Sequence, residues 1–110
     1  MNISLEEFKK VEIRVGKILA AEKVQDTDKL LRLSVDMGEE KPRQIISGIA
    51  PYFPDCSILV GKKCMFVANL EPKTIRGYES HGMLFALSTP EGDFSLLEPK
   101  DSIPPGTLAV

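Results

Sequence analysis

Residues 11–20 read Val-Glu-Ile-Arg-Val-Gly-Lys-Ile-Leu-Ala, and the order of their apolar and polar side chains is that of a bent β-strand. Up to residue 15 the apolar side chains stand at odd positions, whereas Ile18 and Ala20 stand at even positions. Gly16 lies where the alternation slips by one residue, which is typical of a β-bulge. A long strand that buries first one face and then the other suits a small, tightly curled barrel. The sequence therefore predicts a barrel whose first strand carries a bulge at Gly16.

Four further segments have the composition of β-strands. Residues Leu31–Met37 alternate apolar and polar side chains, and residues Arg43–Ile49 read as the strand that returns from a hairpin turn. Residues Cys64–Leu70 are apolar on both faces, as in a buried strand, and residues Met83–Ser88 form the fifth segment. Between the third and fourth strands, residues Asp55–Val60 predict a short helix. This order, β-β-β-α-β, is the order of the OB-fold barrel.

The two ends of the chain add accessory elements. Ser4 and Glu7 have the spacing of a capping box, which predicts a helical turn from Leu5. Residues 94–97 predict a short sixth strand, and the proline-containing residues 99–110 predict an extended tail. The expected fold class is mainly all-β: a five-stranded OB-fold barrel with a short helix between strands 3 and 4, an N-terminal helical turn and a C-terminal extension.

The composition is that of an ordinary globular domain with little excess charge. Hydrophobic residues make up 43% of the chain and charged residues 27%, so we expect residues 1–110 to fold as one domain. Lys and Arg number 14 against 16 Asp and Glu, a net charge of −2, which disfavours a protein that coats DNA generically. The sequence has no apolar run near the roughly 20 residues of a membrane span and no signal or transit peptide, so we expect a cytoplasmic protein.

Polar residues collect on the segments that form the ligand face of an OB-fold. That face is built from the second and third strands and is rimmed by the first–second and fourth–fifth loops. The fourth–fifth connection, Glu71–Gly82, has twelve residues, a length that is unusual without secondary structure and often functional. The polar residues of these segments are Asp26, Asp28, Lys29, Arg32, Ser34, Arg43, Gln44, Ser47, Lys73, Thr74, Arg76, Ser80 and His81. They form either a ligand face or a merely solvated one.

Four blocks of the sequence resemble one known family. They are residues 11–18, residues 28–31, residues 43–50, and the segments 69–73 and 80–84 taken together. In the same order along the chain, the blocks are similar to the tRNA-binding domain found at the C-terminus of many bacterial methionyl-tRNA synthetases. The same domain occurs in free-standing tRNA-binding proteins, in the chaperone-like secretion protein CsaA and in endothelial monocyte-activating polypeptide.

The resemblance implies an OB-fold homodimer that binds tRNA by its shape, without strong preference for the anticodon. By the same resemblance, the candidate tRNA contacts are Lys29, Arg43, Asn69, Lys73, Arg76, Ser80 and Met83. Two departures from the family's pattern put affinity in doubt. Many members have His-Pro before the Asp-Lys-Leu block, where this chain has Val24-Gln25 or Gln25-Asp26, and many have a basic residue where this chain has Thr74. The missing positive charge predicts weaker binding or a different preferred client.

Several of these residues have a second, structural interpretation. Asn69 either donates its amide to a phosphate or sugar, or caps the turn after the fourth strand. Met83 begins an apolar strand, so a place in the core explains it better than a contact does. Tyr52 and Phe53, with Tyr78, are able to stack on bases, but 6% aromatic residues and no tryptophan fit phosphate and shape recognition better.

No combination of residues predicts catalysis, a metal site or a cofactor. His81 is the single histidine and lies in a connection. Cys64 lies in an apolar strand, where its thiol should be inert, and its spacing from Cys56 is not that of a zinc site.

Two functions stay open. The first is sequence-nonspecific tRNA binding, either as the non-catalytic C-terminal domain of a methionyl-tRNA synthetase that serves aminoacylation, or as a free-standing protein. The second is a CsaA-like secretion chaperone for unfolded or precursor polypeptides. In either case the apolar tail, together with Leu5 and Phe8, predicts a homodimer.

Overall fold

The first strand of the barrel, β1 (Ile13–Lys23), is long because it serves two neighbours. In the computed structural model, which describes residues 1–110, its first half pairs with one strand and its second half with another. In the second half of β1 the register shifts at Leu19: Ile18 and Ala20 pair with successive residues of the neighbouring strand, and Leu19 between them has no partner there. The predicted bulge therefore exists, but its placement at Gly16 was wrong.

The strands form one main sheet and two small hairpins. After β1 they are β2 (Leu31–Asp36), β3 (Arg43–Ser47), β4 (Lys63–Val67), β5 (Lys73–Ile75), β6 (Tyr78–Ser80), β7 (Met83–Leu84), β8 (Ala86–Ser88) and β9 (Phe94–Leu96). The main sheet has the order β3-β2-β1-β4-β7, and all of its pairs are antiparallel. β5 pairs with β6, and β8 pairs with β9.

The sheet nearly closes into a barrel through contacts between β3 and the end of β6. The His81 amide donates to the Gln44 carbonyl at 2.9 Å, and the Ile46 amide donates to the Ser80 hydroxyl at 3.0 Å. These bonds join β3, one edge of the main sheet, to the residues that lead directly into β7, its other edge, as in an OB-like barrel. The predicted fold class is confirmed.

The short helices also lie where the sequence indicated. α1 (Leu5–Phe8) begins at a capping box in which Ser4 and Glu7 each accept from the other's backbone amide. The element between β3 and β4 is a 3₁₀ helix, Cys56–Leu59, with Asp55 as its N-cap, and a further 3₁₀ turn, Ala50–Tyr52, precedes it. No helix in the structure combines the length and apolar character needed to cross a membrane.

Gly16 lets the sheet curl tightly over its core. A Cβ atom at this residue would lie 2.5 Å from Cγ1 of Val35 and 2.7 Å from Cδ2 of Phe66. Both side chains are fully buried, and they belong to β2 and β4, the two strands that flank β1. Around them pack the other most buried side chains, Ile18, Leu31, Leu33, Ile45, Leu59 and Cys64.

Two connections differ from the expectation. The segment Glu71–Gly82 was expected to lack secondary structure, but it contains the β5–β6 hairpin. The expected fifth strand, Met83–Ser88, is interrupted at Phe85, so that β7 stays in the barrel while β8 pairs outside it. Phe85 still donates its amide to the Met65 carbonyl at 2.9 Å.

The tail runs along β1, on the edge that β2 leaves free. The Gly106 amide donates to the Val15 carbonyl at 2.7 Å, and the Val15 amide donates to the Thr107 carbonyl at 2.9 Å. The Ala109 amide donates to the Ile13 carbonyl at 2.7 Å. Residues 106–109 thus lie extended along their own barrel, whereas turns closed by the Ile103 and Thr107 amides interrupt the tail that was expected to be extended from residue 99.

Candidate nucleic-acid interface

The outer face of β1, β2 and β3 carries the polar side chains that the strand alternation predicts. Ser34 of β2 lies opposite Gln44 of β3, and Arg32 of β2 lies opposite Glu22 of β1. Because directly opposite residues of an antiparallel pair point to the same face, these side chains share the surface that faces away from the core. A groove of about 410 Å³ runs between them.

The two loops that rim this face come together. Lys29, from the β1–β2 connection, and Arg76, from the tip of the β5–β6 hairpin, line one cleft of about 450 Å³. The β1–β2 connection is held in shape by the Thr27 hydroxyl, which donates to the Val24 carbonyl at 3.0 Å. Both basic side chains are exposed, so the cleft is open to a ligand.

The hairpin tip is a tight two-residue turn. Its central residues, Arg76 and Gly77, have φ angles of 53° and 84°, the pattern of a type I′ turn. Gly77 adopts such an angle without penalty, whereas Arg76 does so against a steric cost. The turn projects Arg76 beyond the end of the two strands.

Lys73 stands at the other end of the hairpin, beside an apolar groove. It pairs with Ser80 in the ladder and is exposed. The groove is about 230 Å³ and is lined by Ile46, Leu70, Glu71, Lys73, Ile75, Ser80, Gly82 and Met83. The Met83 side chain is 47% exposed, so it belongs to this surface and not to the core.

Arg43 lies on the inner side of the barrel end and is fully engaged. It pairs in register with the buried Val35. Its Nε and Nη2 donate to the two carboxylate oxygens of Glu39, each at 2.8 Å, and its Nη1 donates to the carbonyls of Ala68 and His81. The pairing lowers the pKa of Glu39 and raises the pKa of Arg43. Arg43 thus ties β3 to the ends of β4 and of the hairpin.

Asn69 and Ser80 are also tied within the protein. The Asn69 Oδ1 accepts from the Glu12 amide at 2.8 Å, and its Nδ2 donates to the Lys10 carbonyl at 2.5 Å. The Ser80 side chain is buried, and its hydroxyl donates to the Gly82 carbonyl at 3.2 Å while accepting from β3. Of the seven residues inferred from the resemblance, the structure brings Lys29 and Arg76 to one cleft and Lys73, Ser80 and Met83 to one groove.

Arg32 was not among the candidate contacts, although it stands at the centre of the face. Its guanidinium carbon lies 5.0 Å from the centroid of the Tyr78 ring, and its Nη2 contacts Glu22. The alternation in residues 31–37 could have found it, because Arg32 is the outward residue of β2 nearest the hairpin.

Reactive side chains are absent from this face. The His81 Nε2 lies 3.0 Å from a Glu79 carboxylate oxygen. Cys64 is buried in β4, and burial raises the pKa of its thiol to about 11. No three His, Cys, Asp or Glu side chains stand close enough together to hold a metal ion.

Known proteins are similar to this chain in sequence and in structure. Residues 13–108 match the family described as "Putative tRNA binding domain". Methionine–tRNA ligase of Enterococcus faecalis is 42% identical over 104 residues, which are 94% of this chain and only 16% of the ligase. The crystal structure of a MetRS-related protein from Pyrococcus horikoshii has a TM-score of 0.92 at 38% identity, and 100% of this chain and 99% of that chain are covered. Chaperone CsaA from Bacillus anthracis has a TM-score of 0.87 at 26% identity, with 100% of both chains covered.

Proposed function

The chain belongs to the tRNA-binding domain family, and from that membership we propose that it binds tRNA through the rim where the β1–β2 connection meets the β5–β6 hairpin. The meeting of Lys29 and Arg76 in one cleft is the observation that carries the proposal. Phosphate oxygens are the ligands that such exposed bases recognise.

The absence of ion-pair partners at three basic residues supports the same location. Ion pairs within the protein occupy four other basic residues, Arg14, Arg32, Arg43 and Lys62. Lys29, Lys73 and Arg76 take part in none of them and are exposed. These three residues are therefore free to neutralise phosphates without first losing an internal partner.

The mode of binding is recognition of tRNA shape and not of base sequence. Asp26 and Asp28 lie beside Lys29 in the same cleft, so the rim offers few uncompensated charges and would hold a generic polyanion weakly. A few phosphate contacts placed at fixed positions select a folded backbone and carry no sequence information. The domain serves either in cis beside a methionyl-tRNA synthetase catalytic region or as a free-standing homodimer.

The experiment is a titration of folded tRNA and of an unstructured RNA of equal length at several salt concentrations. The variants are Lys73→Ala and Arg76→Ala, and the matched control is Lys100→Ala, an exposed lysine outside the rim that is also in no ion pair. Arg76→Ala at the rim and Lys73→Ala at the other end of the same hairpin should each weaken all tRNAs alike and reduce the log–log salt slope by about 0.7 to 0.9. Equal affinity for the unstructured RNA would exclude recognition of tRNA shape, and an absence of tRNA binding at low salt would contradict the proposal as a whole.

A second candidate, binding of unfolded polypeptide, is favoured by the apolar groove beside Lys73. Its exposed Leu70 and Met83 are able to take an apolar side chain, and one similar structure is that of the chaperone CsaA. This candidate predicts binding of an unfolded protein with little salt dependence, and greater damage from Met83→Ser than from Lys73→Ala. A steep salt dependence with the reverse order of damage would exclude it.

A further inference from the structure

Arg32 is held between two elements by contacts of different kinds. Glu22 lies directly opposite it on β1 and contacts its Nη2. On the hairpin side, the guanidinium lies 5.0 Å from the centre of the Tyr78 ring, within the range of a cation–π contact. Arg32 thus links the outer face of the barrel to the hairpin whose tip carries Arg76.

Most of the guanidinium's hydrogen-bonding capacity is unused. An arginine has five N–H donors, and in Arg32 only Nη2 donates within the protein, to Glu22. Arg43 offers the contrast, because its Nε, Nη1 and Nη2 all donate to internal acceptors. Arg32 therefore keeps Nε and Nη1 without internal acceptors, and a two-point contact with an oxyanion, which uses Nη2 together with Nε or Nη1, becomes available when Glu22 moves aside.

The partner of Arg32 is an anion that an incoming anion can displace. The Glu22 side chain is 58% exposed and that of Arg32 is 38% exposed, so the pair lies at the surface, where an ion pair contributes at most about 1 kcal/mol. The groove of about 410 Å³ beside the pair is lined by both residues.

We propose that Arg32, stacked on Tyr78, is a phosphate-binding position of the tRNA interface, and that Glu22 occupies it as an internal anion in the free protein. This inference rests on the proposed tRNA binding. Binding then exchanges a carboxylate for a backbone phosphodiester, so Glu22 lowers the affinity and disfavours anions that make no other contact. Tyr78 keeps the planar guanidinium oriented for two-point binding. A lysine ammonium is not planar and cannot make that two-point contact.

The test compares Glu22→Gln with Glu98→Gln in tRNA titrations over a range of salt. Glu98 is the matched control because its pair with Lys62 has nearly the same exposure, 48% and 36%. Glu22→Gln should tighten tRNA binding about two- to fivefold, the factor that corresponds to an exposed ion pair. Arg32→Lys, which keeps the charge, should weaken binding, and Glu22→Gln should have no effect when combined with Arg32→Gln.

The outcomes separate this inference from the proposed function. If Glu22→Gln changes affinity no more than Glu98→Gln does, or keeps its effect beside Arg32→Gln, the role of Arg32 is overturned while tRNA binding through Lys73 and Arg76 stands. If the unaltered protein binds no tRNA, both proposals fail. Thermal melting of each variant checks folding, and Arg32→Ala, which also removes the charge, serves in place of Arg32→Gln should the latter unfold.

Discussion

Arg76 combines an unfavourable backbone angle with an exposed charge. At φ 53° its Cβ crowds the backbone, and residues without special tolerance of this region bear a cost of about 1 kcal/mol there. Asn, Asp and Gly are the residues that type I′ turns prefer. The presence of an arginine at such a position is accounted for by the charge that it carries to the tip of the hairpin.

Replacing Arg76 should therefore separate stability from binding. Arg76→Asn should raise the free energy of unfolding by about 0.5–1 kcal/mol, because asparagine tolerates the left-handed region, and should weaken tRNA binding. Arg76→Lys keeps both the strain and the charge, so it should leave stability unchanged and retain most of the binding. Chemical denaturation and tRNA titration of the same samples measure the two quantities. A destabilised Arg76→Asn, or one that binds tRNA normally, would contradict this explanation.

At the residue scale, the sequence predicted the surface charges better than the buried ties. Lys29 and Arg76 are exposed and line one cleft, and their contact with tRNA stays a prediction. Asn69 and Ser80 instead bind backbone groups of segments distant in the chain, Glu12 and Ile46. Such contacts depend on which segments the barrel brings together, and a linear pattern does not contain that information. The role of Gly16 also depends on contacts between distant segments. The slip in alternation at this residue predicted a bulge, whereas the missing side chain makes room for Val35 and Phe66.

Among the elements, strand existence was predictable and strand ends were not. β2 was found because its apolar and polar residues alternate without interruption. The β5–β6 hairpin was missed because its strands have only three residues each and its turn has arginine where asparagine is the usual signal. The β-favouring residues Thr74, Ile75 and Tyr78 around Arg76-Gly77 were the only hint.

The ion pair between Glu39 and Arg43 of β3 should make the free energy of unfolding depend on pH. The pKa of Glu39 is lowered from 4.5 by its hydrogen bonds with Arg43, so the stabilisation is complete above that pH and is lost as the pH falls through the folded-state pKa. Glu39→Gln should reduce the free energy of unfolding at neutral pH by less than about 1 kcal/mol, and the difference from the unaltered protein should shrink below pH 4.5.

The matched control for this prediction is Glu40→Gln, since Glu40 is the exposed neighbour of Glu39 and takes part in no ion pair. Denaturation curves recorded from neutral to acidic pH make the comparison. A difference between Glu39→Gln and the unaltered protein that stays constant with pH would show that the Glu39 carboxylate does not contribute through its charge.

On the scale of the whole molecule, the exposed apolar residues at the chain ends predict self-association. The tail binds β1 through its backbone, yet Leu108 is 41% exposed, and Leu5 and Phe8 of α1 are 66% and 50% exposed. Phe8→Asp should convert a dimer into a particle of 12.2 kDa, because a charge cannot be buried in an apolar interface. Val60→Asp, at an equally exposed position of 50%, is the control and should stay dimeric. Sedimentation of the unaltered protein as a monomer at micromolar concentration would exclude the homodimer.

The location of the tRNA interface is tested most directly by amide hydrogen–deuterium exchange of the protein with and without folded tRNA. We expect exchange to slow in residues 24–30 and 73–80, the β1–β2 connection and the β5–β6 hairpin that meet at the cleft of Lys29 and Arg76. Exchange in α1 should be unchanged by the RNA. Slowing confined to α1 or to residues 106–110, with the hairpin and the connection unaffected, would contradict the proposed interface.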